Sequence, residues 1–263
     1  MKQYRVLFNP LSGDGAGKAA AMHLMELLPD NELRFYDITK IDSVPSFLAK
    51  TDPKDTILVA GGDGTLRRFA DAVSALPLRH TVYYYATGRD NDFWRDLGRQ
   101  PGDPPVPVSR YLAGLPTVRT EAHCGHFIGS VTVGEAGSSL FSVTVTVDGA
   151  TYPFPAARFA AVTCGKYCRG GLLTPGQDRL QPESGLTVTV LHDTPRFGTA
   201  GILRALRTGN AARYPASIAV LRGQEITLHC ETPLPALPPC FLDGDPLPPT
   251  PHARTLVMLA GKG

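Results

Sequence analysis

Six consecutive residues, Ala60-Gly61-Gly62-Asp63-Gly64-Thr65, bring three glycines, a carboxylate and a hydroxyl to one place in the chain. Glycine lets the backbone turn sharply and approach a ligand closely. A phosphate is the ligand that a glycine-rich turn into a helix suits best. Asp63 adds negative charge among those donors, and a carboxylate beside phosphate needs a cation, a proton or a ligand hydroxyl. A tight turn with a solvated aspartate accounts for the same residues without a ligand. Two more segments carry related chemistry. Asn9-Pro10-Leu11-Ser12-Gly13-Asp14-Gly15-Ala16-Gly17-Lys18 is polar and glycine-rich, and Ala86 to Phe93 holds Gly88, Arg89, Asp90, Asn91 and Asp92. The first is neither a P-loop, since no glycine stands five places before Gly17-Lys18, nor a dinucleotide fingerprint, since its glycines are evenly spaced.

The elements that must position these loops follow from pattern. Thr56 to Val59 is apolar and β-branched, while Leu66, Phe69, Ala70, Val73 and Leu76 repeat at helical spacing. The glycines therefore stand where a buried strand ends and a helix begins. Tyr4 to Phe8, Leu33 to Ile38 and Thr81 to Tyr85 read as strands, and Ala19 to Leu28 and Val44 to Ala49 as helices. Such alternation predicts a parallel sheet with helices on both faces. Ligands of these sheets bind beyond the carboxyl ends of the strands, where all three polar loops fall.

From Arg99 to Pro116 prolines accumulate, which predicts a linker and two domains, 1–112 and 113–263. Beyond it the pattern is β: His126 to Val133, Leu140 to Val147, Arg158 to Cys164, Leu186 to Leu191, Ser217 to Leu221, Glu225 to His229, Phe241-Leu242 and Thr255 to Leu259. Asp148-Gly149 signals a hairpin, Thr199 to Arg207 a helix, and Pro233 to Pro239 an extended connector.

Hydrophobic residues make up 43% and charged residues 19% of the 263, an ordinary globular composition. A net charge of +2 gives no argument for nucleic acid as a partner. No apolar run is long enough to span a bilayer, and the apolar stretch after Met1 is too short for a signal-peptide core. The expectation is a cytoplasmic protein with peripheral contact at the inner face of the membrane. The five cysteines fit no disulfide framework or zinc spacing, and His123-Cys124-Gly125-His126 reads as ordinary residues at a strand turn.

Taken together the loops resemble the diacylglycerol kinase catalytic family, the bacterial lipid kinases related to sphingosine kinases and, more distantly, NAD kinases. Asn9-Pro10-Leu11-Ser12-Gly13 resembles its opening Asn-Pro-x-Ser-Gly, and Gly61 to Thr65 is identical to its Gly-Gly-Asp-Gly-Thr signature. Gly88 to Phe93 resembles its Gly-Thr-Gly-Asn-Asp-Phe loop, with Arg89 and Asp90 as departures. Val162 to Pro175 resembles its Asn-x-x-x-x-Gly-Gly-Gly segment, with Cys164 for the asparagine and Arg169 for the first glycine. Gly201 to Gly209 resembles its late helix, Glu183-Ser184-Gly185 its Asp-Asp-Gly and Asp243-Gly244-Asp245 its Asp-Gly-Glu. The helical insertion usual before the Val143 to Gly149 strand is missing.

The resemblance implies an α/β plus β fold: a Rossmann-like three-layer α/β nucleotide-binding domain, a C-terminal β-sandwich and an active-site cleft between them. It implies an ATP-dependent lipid kinase, with Asn9, Gly61, Gly62, Asp63, Gly64, Thr65, Gly88 and Asn91 around the nucleotide. Magnesium would be held through the ATP phosphates and Asp63. Asp245, in the place of the family's glutamate, would be the base, with Asp63 also catalytic. Asp243-Gly244-Asp245 read by itself is equally a β-turn with both carboxylates in water. Arg89 could hold a phosphate or pair with Asp90 or Asp92. The alternative function is a catalytically degenerate, kinase-like nucleotide binder.

Overall fold

The computed structural model describes residues 2–121, 123–135, 139–175, 185–194, 198–230, 237–247 and 254–261. They divide into two compact units, Met1–Trp94 with Gly98–Gly114, and Arg95–Leu97 with Leu115–Gly263.

The first unit contains β1 (Gln3–Phe8), α1 (Gly17–Met22), α2 (Leu24–Leu27), β2 (Glu32–Asp37), α3 (Val44–Ala49), β3 (Thr56–Gly61), α4 (Asp63–Val73), β4 (Val82–Ala86), the first three residues of α5 (Asp92–Asp96), β5 (Val106–Pro107) and α6 (Ser109–Leu112). Its sheet runs in the order β2-β1-β3-β4-β5, with the first four strands parallel. All six residues of β3 are buried, as a central strand covered on both faces requires. Leu66, Phe69, Ala70 and Val73 form the buried stripe of α4. Helix α4 begins at Asp63 rather than Leu66, because Gly62 in extended conformation serves as its N-cap. The helix expected over 19–28 is two pieces, and Glu26 N–H bonds back to His23 O, a tighter turn than the α-helix. The expected linker at 99–116 is not unstructured. β5 pairs antiparallel with β4 at the sheet edge, where Pro107 lacks a donor at no loss, and buried Val106 and Val108 anchor it.

The second unit contains β6 (Thr117–Arg119), β7 (Cys124–His126), β8 (Ser130–Gly134), β9 (Phe141–Val147), β10 (Ala150–Thr163), β11 (Tyr167–Cys168), β12 (Leu172–Leu173), β13 (Leu186–His192), α7 (Thr199–Arg207), β14 (Ile218–Gly223), β15 (Glu225–Cys230), β16 (Cys240–Leu242), β17 (Asp245–Pro246) and β18 (Arg254–Leu259). Apart from β11 and β12, its strands form one curled antiparallel sheet, so the expected two layers come from a single hydrogen-bonded sheet. Strand β10 explains the curl. Its first half pairs with β9, its second with β8 and β13, and a bulge between Phe154 and Ala157 turns it from one to the other. Pro153 and Pro155 hid that first half from the sequence pattern. The expected hairpin at Asp148-Gly149 is present, both residues having positive φ (47° and 87°). One core lies among Val131, Val145, Val162, Val188, Leu228 and Leu256. A second forms where Ile202 and Leu206 of α7 pack on Phe159, Leu191 and Ile218. Residues 183–184 and 233–236, of the Asp-Asp-Gly counterpart and the extended connector, lie outside the described residues.

Candidate functional site

The three glycine-bearing loops leave β1, β3 and β4 at the carboxyl edge of the parallel sheet. Their backbones touch where side chains are missing. A Cβ on Gly88 would stand 2.5 Å from the Gly62 Cα, and one on Gly13 would stand 2.6 Å from the Thr87 carbonyl oxygen. A Cβ on Gly61 would stand 2.5 Å from the Cβ of Thr65. The spacing of glycines is thus set by loop-to-loop contact.

Polar side chains stitch the same loops together. Asn9 donates from Nδ2 to Thr65 Oγ1 at 2.8 Å and accepts from Leu11 N–H on Oδ1. The Ser12 and Thr87 hydroxyls lie 2.8 Å apart. The Asp63 carboxylate is buried, and Oδ2 accepts from the N–H groups of Asp92 (2.7 Å) and Phe93 (3.2 Å). Its Oδ1 accepts from the Tyr84 hydroxyl, which also donates to Gly61 O. Asp63 is therefore no solvated turn residue: it joins the start of α4 to the first turn of α5. Asn91, at φ 48°, donates to Gly88 O at 2.7 Å, while its Oδ1 is shut from water with no partner among the described residues. An orphaned acceptor of this kind suits a ligand donor. Arg89 is 73% exposed and faces Asp90 at 3.4 Å and Asp14 at 4.0 Å.

A cavity of about 580 Å³ opens at this edge, within the size range of small-molecule sites. Asn9, Thr39, Asp42, Ser43, Thr65 and Arg68 give its polar wall, and Leu11, Ile38, Ile41 and Phe69 line its apolar one. Of the expected residues Asn9 and Thr65 line it; Gly61, Gly62, Asp63, Gly64, Gly88 and Asn91 stand in the loops that shape the edge.

In the second unit Asp243 and Gly244 form the two-residue turn of the β16–β17 hairpin, with φ 49° and 84°. The Asp243 carboxylate accepts from the N–H groups of Ile128, Gly129 and Ser130, at 2.8, 2.7 and 2.9 Å. The reading with both carboxylates in water is thus wrong for Asp243. Cys164 braces the same segment by donating from Sγ to Ile128 O at 3.0 Å. Asp245, half-buried, opens β17 opposite Leu242. Arg169 keeps a left-handed backbone (φ 48°), stacks 4.0 Å from the Phe241 ring centre and pairs with Glu135 at 2.7 Å.

Residues 3–118 match the profile of the family described as diacylglycerol kinase catalytic domain. This stretch is similar to that family. A diacylglycerol kinase of Bacillus subtilis (strain 168) is 31% identical over 105 residues, 37% of this chain and 34% of the relative's own length. The aligned region thus spans about a third of that relative. The crystal structure of a diacylglycerol kinase from Bacillus anthracis str. Sterne superposes with a TM-score of 0.61 at 20% identity, covering 99% of this chain and 94% of that one. An NAD kinase from Archaeoglobus fulgidus in complex with ATP gives a TM-score of 0.50 at 14% identity, covering 100% and 90%. The fold is therefore that of diacylglycerol kinases and, at greater distance, NAD kinases.

Against the family's pattern, the first unit holds Asn9, Gly61 to Thr65, Gly88 and Asn91 together, and Asp245 belongs to the second unit. Sequence reasoning missed the segment after β2, which brings Thr39, Ile41 and Ser43 to the cavity. A polar run following a strand at the loop edge was its one signal. It also missed Arg68, one helical turn beyond Thr65 on the same face of α4.

Proposed function

We propose that the chain is an ATP-dependent lipid kinase that transfers the γ-phosphate of ATP to a lipid hydroxyl, with the first unit binding nucleotide and the second substrate. The observation that carries this reading is the cavity at the carboxyl edge of the parallel sheet, bounded by Asn9, Thr65 and Arg68 beside the glycine loops. Gly62 caps α4 without a side chain, so the positive dipole end of that helix suits phosphate. Arg68 offers a cation to the same wall, which also carries the carboxylate of Asp42. Ile38, Ile41 and Phe69 suit a flat apolar ring, and Thr39 and Ser43 suit hydroxyl partners. The family match and the solved ATP-bound relative of the same fold support ATP as the donor.

Phosphoryl transfer rests on positioning and charge neutralisation. Among the described residues no three His, Cys, Asp or Glu side chains form a metal cage. Magnesium takes one or two carboxylates together with substrate phosphates and waters. Protein donors already engage both oxygens of Asp63, and a carboxylate oxygen has lone pairs for more than one partner. Asp63 would share them with the ion, and the ion would neutralise phosphate charge. Asp245 would accept the proton of the lipid hydroxyl; Asp243 is engaged by three backbone donors.

A second reading, a nucleotide binder without turnover, is favoured by the engaged Asp63 carboxylate and by Asp245, one methylene shorter than the family's glutamate. Catalysis is sensitive to displacements of ~1 Å. Incubation with labelled ATP, magnesium and a lipid extract tests both. Labelled lipid supports the kinase; calorimetric ATP binding without any labelled product supports the second reading; neither binding nor product refutes both. Contact with membrane would be transient, since no helix among the described residues is long and apolar enough to cross one.

A further inference from the structure

The first unit has a second cavity, of about 530 Å³, that the kinase reading leaves unused. Its walls come from α3 and from the segments that lead into β3 and β4. Those segments lie at the amino edge of the parallel sheet, opposite the glycine loops. Leu48, Leu76 and Leu78, with prolines between them, make the lining apolar, and Leu76 is 41% exposed at it. Among the described residues no carboxylate lines it, whereas Arg79 and His80 do. Arg79 is exposed. His80 is 7% exposed, and its Nε2 is shut from water with no hydrogen-bond partner among the described residues. Buried nitrogens are normally paired, so this one is left for a group that the described residues do not supply.

An apolar body, one cation and one unmatched imidazole nitrogen specify an amphiphile with a negative head. We propose that this cavity binds a medium-chain monocarboxylate, its tail against Leu48, Leu76 and Leu78 and its carboxylate between Arg79 and a proton on His80 Nε2. Small-molecule sites share this character, mostly apolar with a few convergent polar groups, in volumes of about 300–1,000 Å³. The inference does not depend on the kinase reading: the two cavities adjoin at Pro45, but none of Leu48, Leu76, Leu78, Arg79 and His80 lines the first.

The test uses the intact chain and octanoate, with calorimetry for affinity and imidazole NMR for His80, its signal assigned by its loss in His80→Gln. Expected is saturable one-to-one binding that moves the His80 signal. 1-Octanol, with the same tail and no charge, should bind about tenfold or more weakly, the scale of a lost charge-assisted pair. Arg79→Glu should weaken octanoate by a similar factor while the melting temperature and the ATP-induced shift stay unchanged. Ala49→Trp, which fills the groove from an exposed position of α3, should abolish binding. Equal affinity for octanol and octanoate overturns the proposal. So does octanoate binding that neither substitution affects, or no binding at millimolar octanoate.

Discussion

Asp243 and Asp245 stand two positions apart and do different work. Asp243 is held by three N–H groups of Ile128–Ser130, so Asp243→Ala strands those donors. Its expected effect is a loss of about 2–4 kcal/mol, by the cost of unpaired buried groups, seen as a lower urea midpoint. Asp245→Asn should keep the ATP-induced stabilisation and cut turnover by roughly a hundredfold or more. Asp245→Glu should keep or raise turnover, since it restores the family's longer side chain. Full activity in Asp245→Asn would remove it from the mechanism. Asp63 combines both kinds of work. Asp63→Asn keeps one acceptor oxygen and turns the other into a donor facing the N–H groups of Asp92 and Phe93 or the Tyr84 hydroxyl. A destabilisation of about 1–3 kcal/mol should accompany weaker magnesium-dependent ATP binding. Lost turnover with unchanged stability would show that the bonds to α5 contribute little.

Elements were legible where one principle acted alone. Helix α3 and the Asp148-Gly149 hairpin follow directly from a capping serine with proline in the first turn and from turn residues tolerant of positive φ. β5 and the first half of β10 were hidden because proline argues against strands, and only tertiary pairing at an edge and at a bulge accommodates it. The glycine loops were legible as chemistry, but their mutual contact was not, since it depends on β1, β3 and β4 lying side by side. That contact is testable. A methyl group on Gly88 meets the Gly62 Cα and Asn91 Oδ1 at 2.5 and 2.7 Å, so Gly88→Ala must push the β3 and β4 loops away from each other. A loss of about 1–3 kcal/mol, the scale of overpacking, and disappearance of the ATP-induced rise in melting temperature are expected. Retained nucleotide binding would place the site away from these loops. In α7, Arg204 and Arg207 are exposed while Ile202, Ala205 and Leu206 are buried. Reversing both charges should weaken binding to anionic vesicles by about 1 kcal/mol per basic residue lost from the surface. Flotation that ignores anionic lipid content would leave this helix a solvated face.

Each unit of the molecule has its own core, and the second contains a test that concerns neither nucleotide nor lipid. The cysteine count excluded a disulfide framework from sequence, but not where the thiols lie. Cys230 and Cys240 are buried in the sheet, Cys124 is exposed, and no cysteine is bonded to another. Burial pushes the Cys230 thiol up to about 12 and the Cys240 thiol up to about 11, each from an ordinary 9.0, with the Arg254 guanidinium partly offsetting both. A thiol whose pKa is raised by folding stays protonated in the native state while the unfolded chain ionises. Below pH 9 both states hold the proton and stability is unaffected. Above it the unfolded state loses protons first, so stability falls as pH rises from about 9 toward 11–12. At about 1.4 kcal/mol per pH unit for each thiol over its window, the loss amounts to a few kcal/mol. Urea unfolding at pH 8 and pH 11 measures it. Replacing both cysteines by alanine lowers stability at pH 8 by opening cavities, but should flatten the decline between the two pH values, and that slope is the readout. Labelling at pH 8 adds an independent check, with Cys124 reacting at once and Cys230 and Cys240 only after unfolding. Prompt modification of either buried thiol, or an unchanged slope in the double variant, would mean that the sheet does not keep these groups from water.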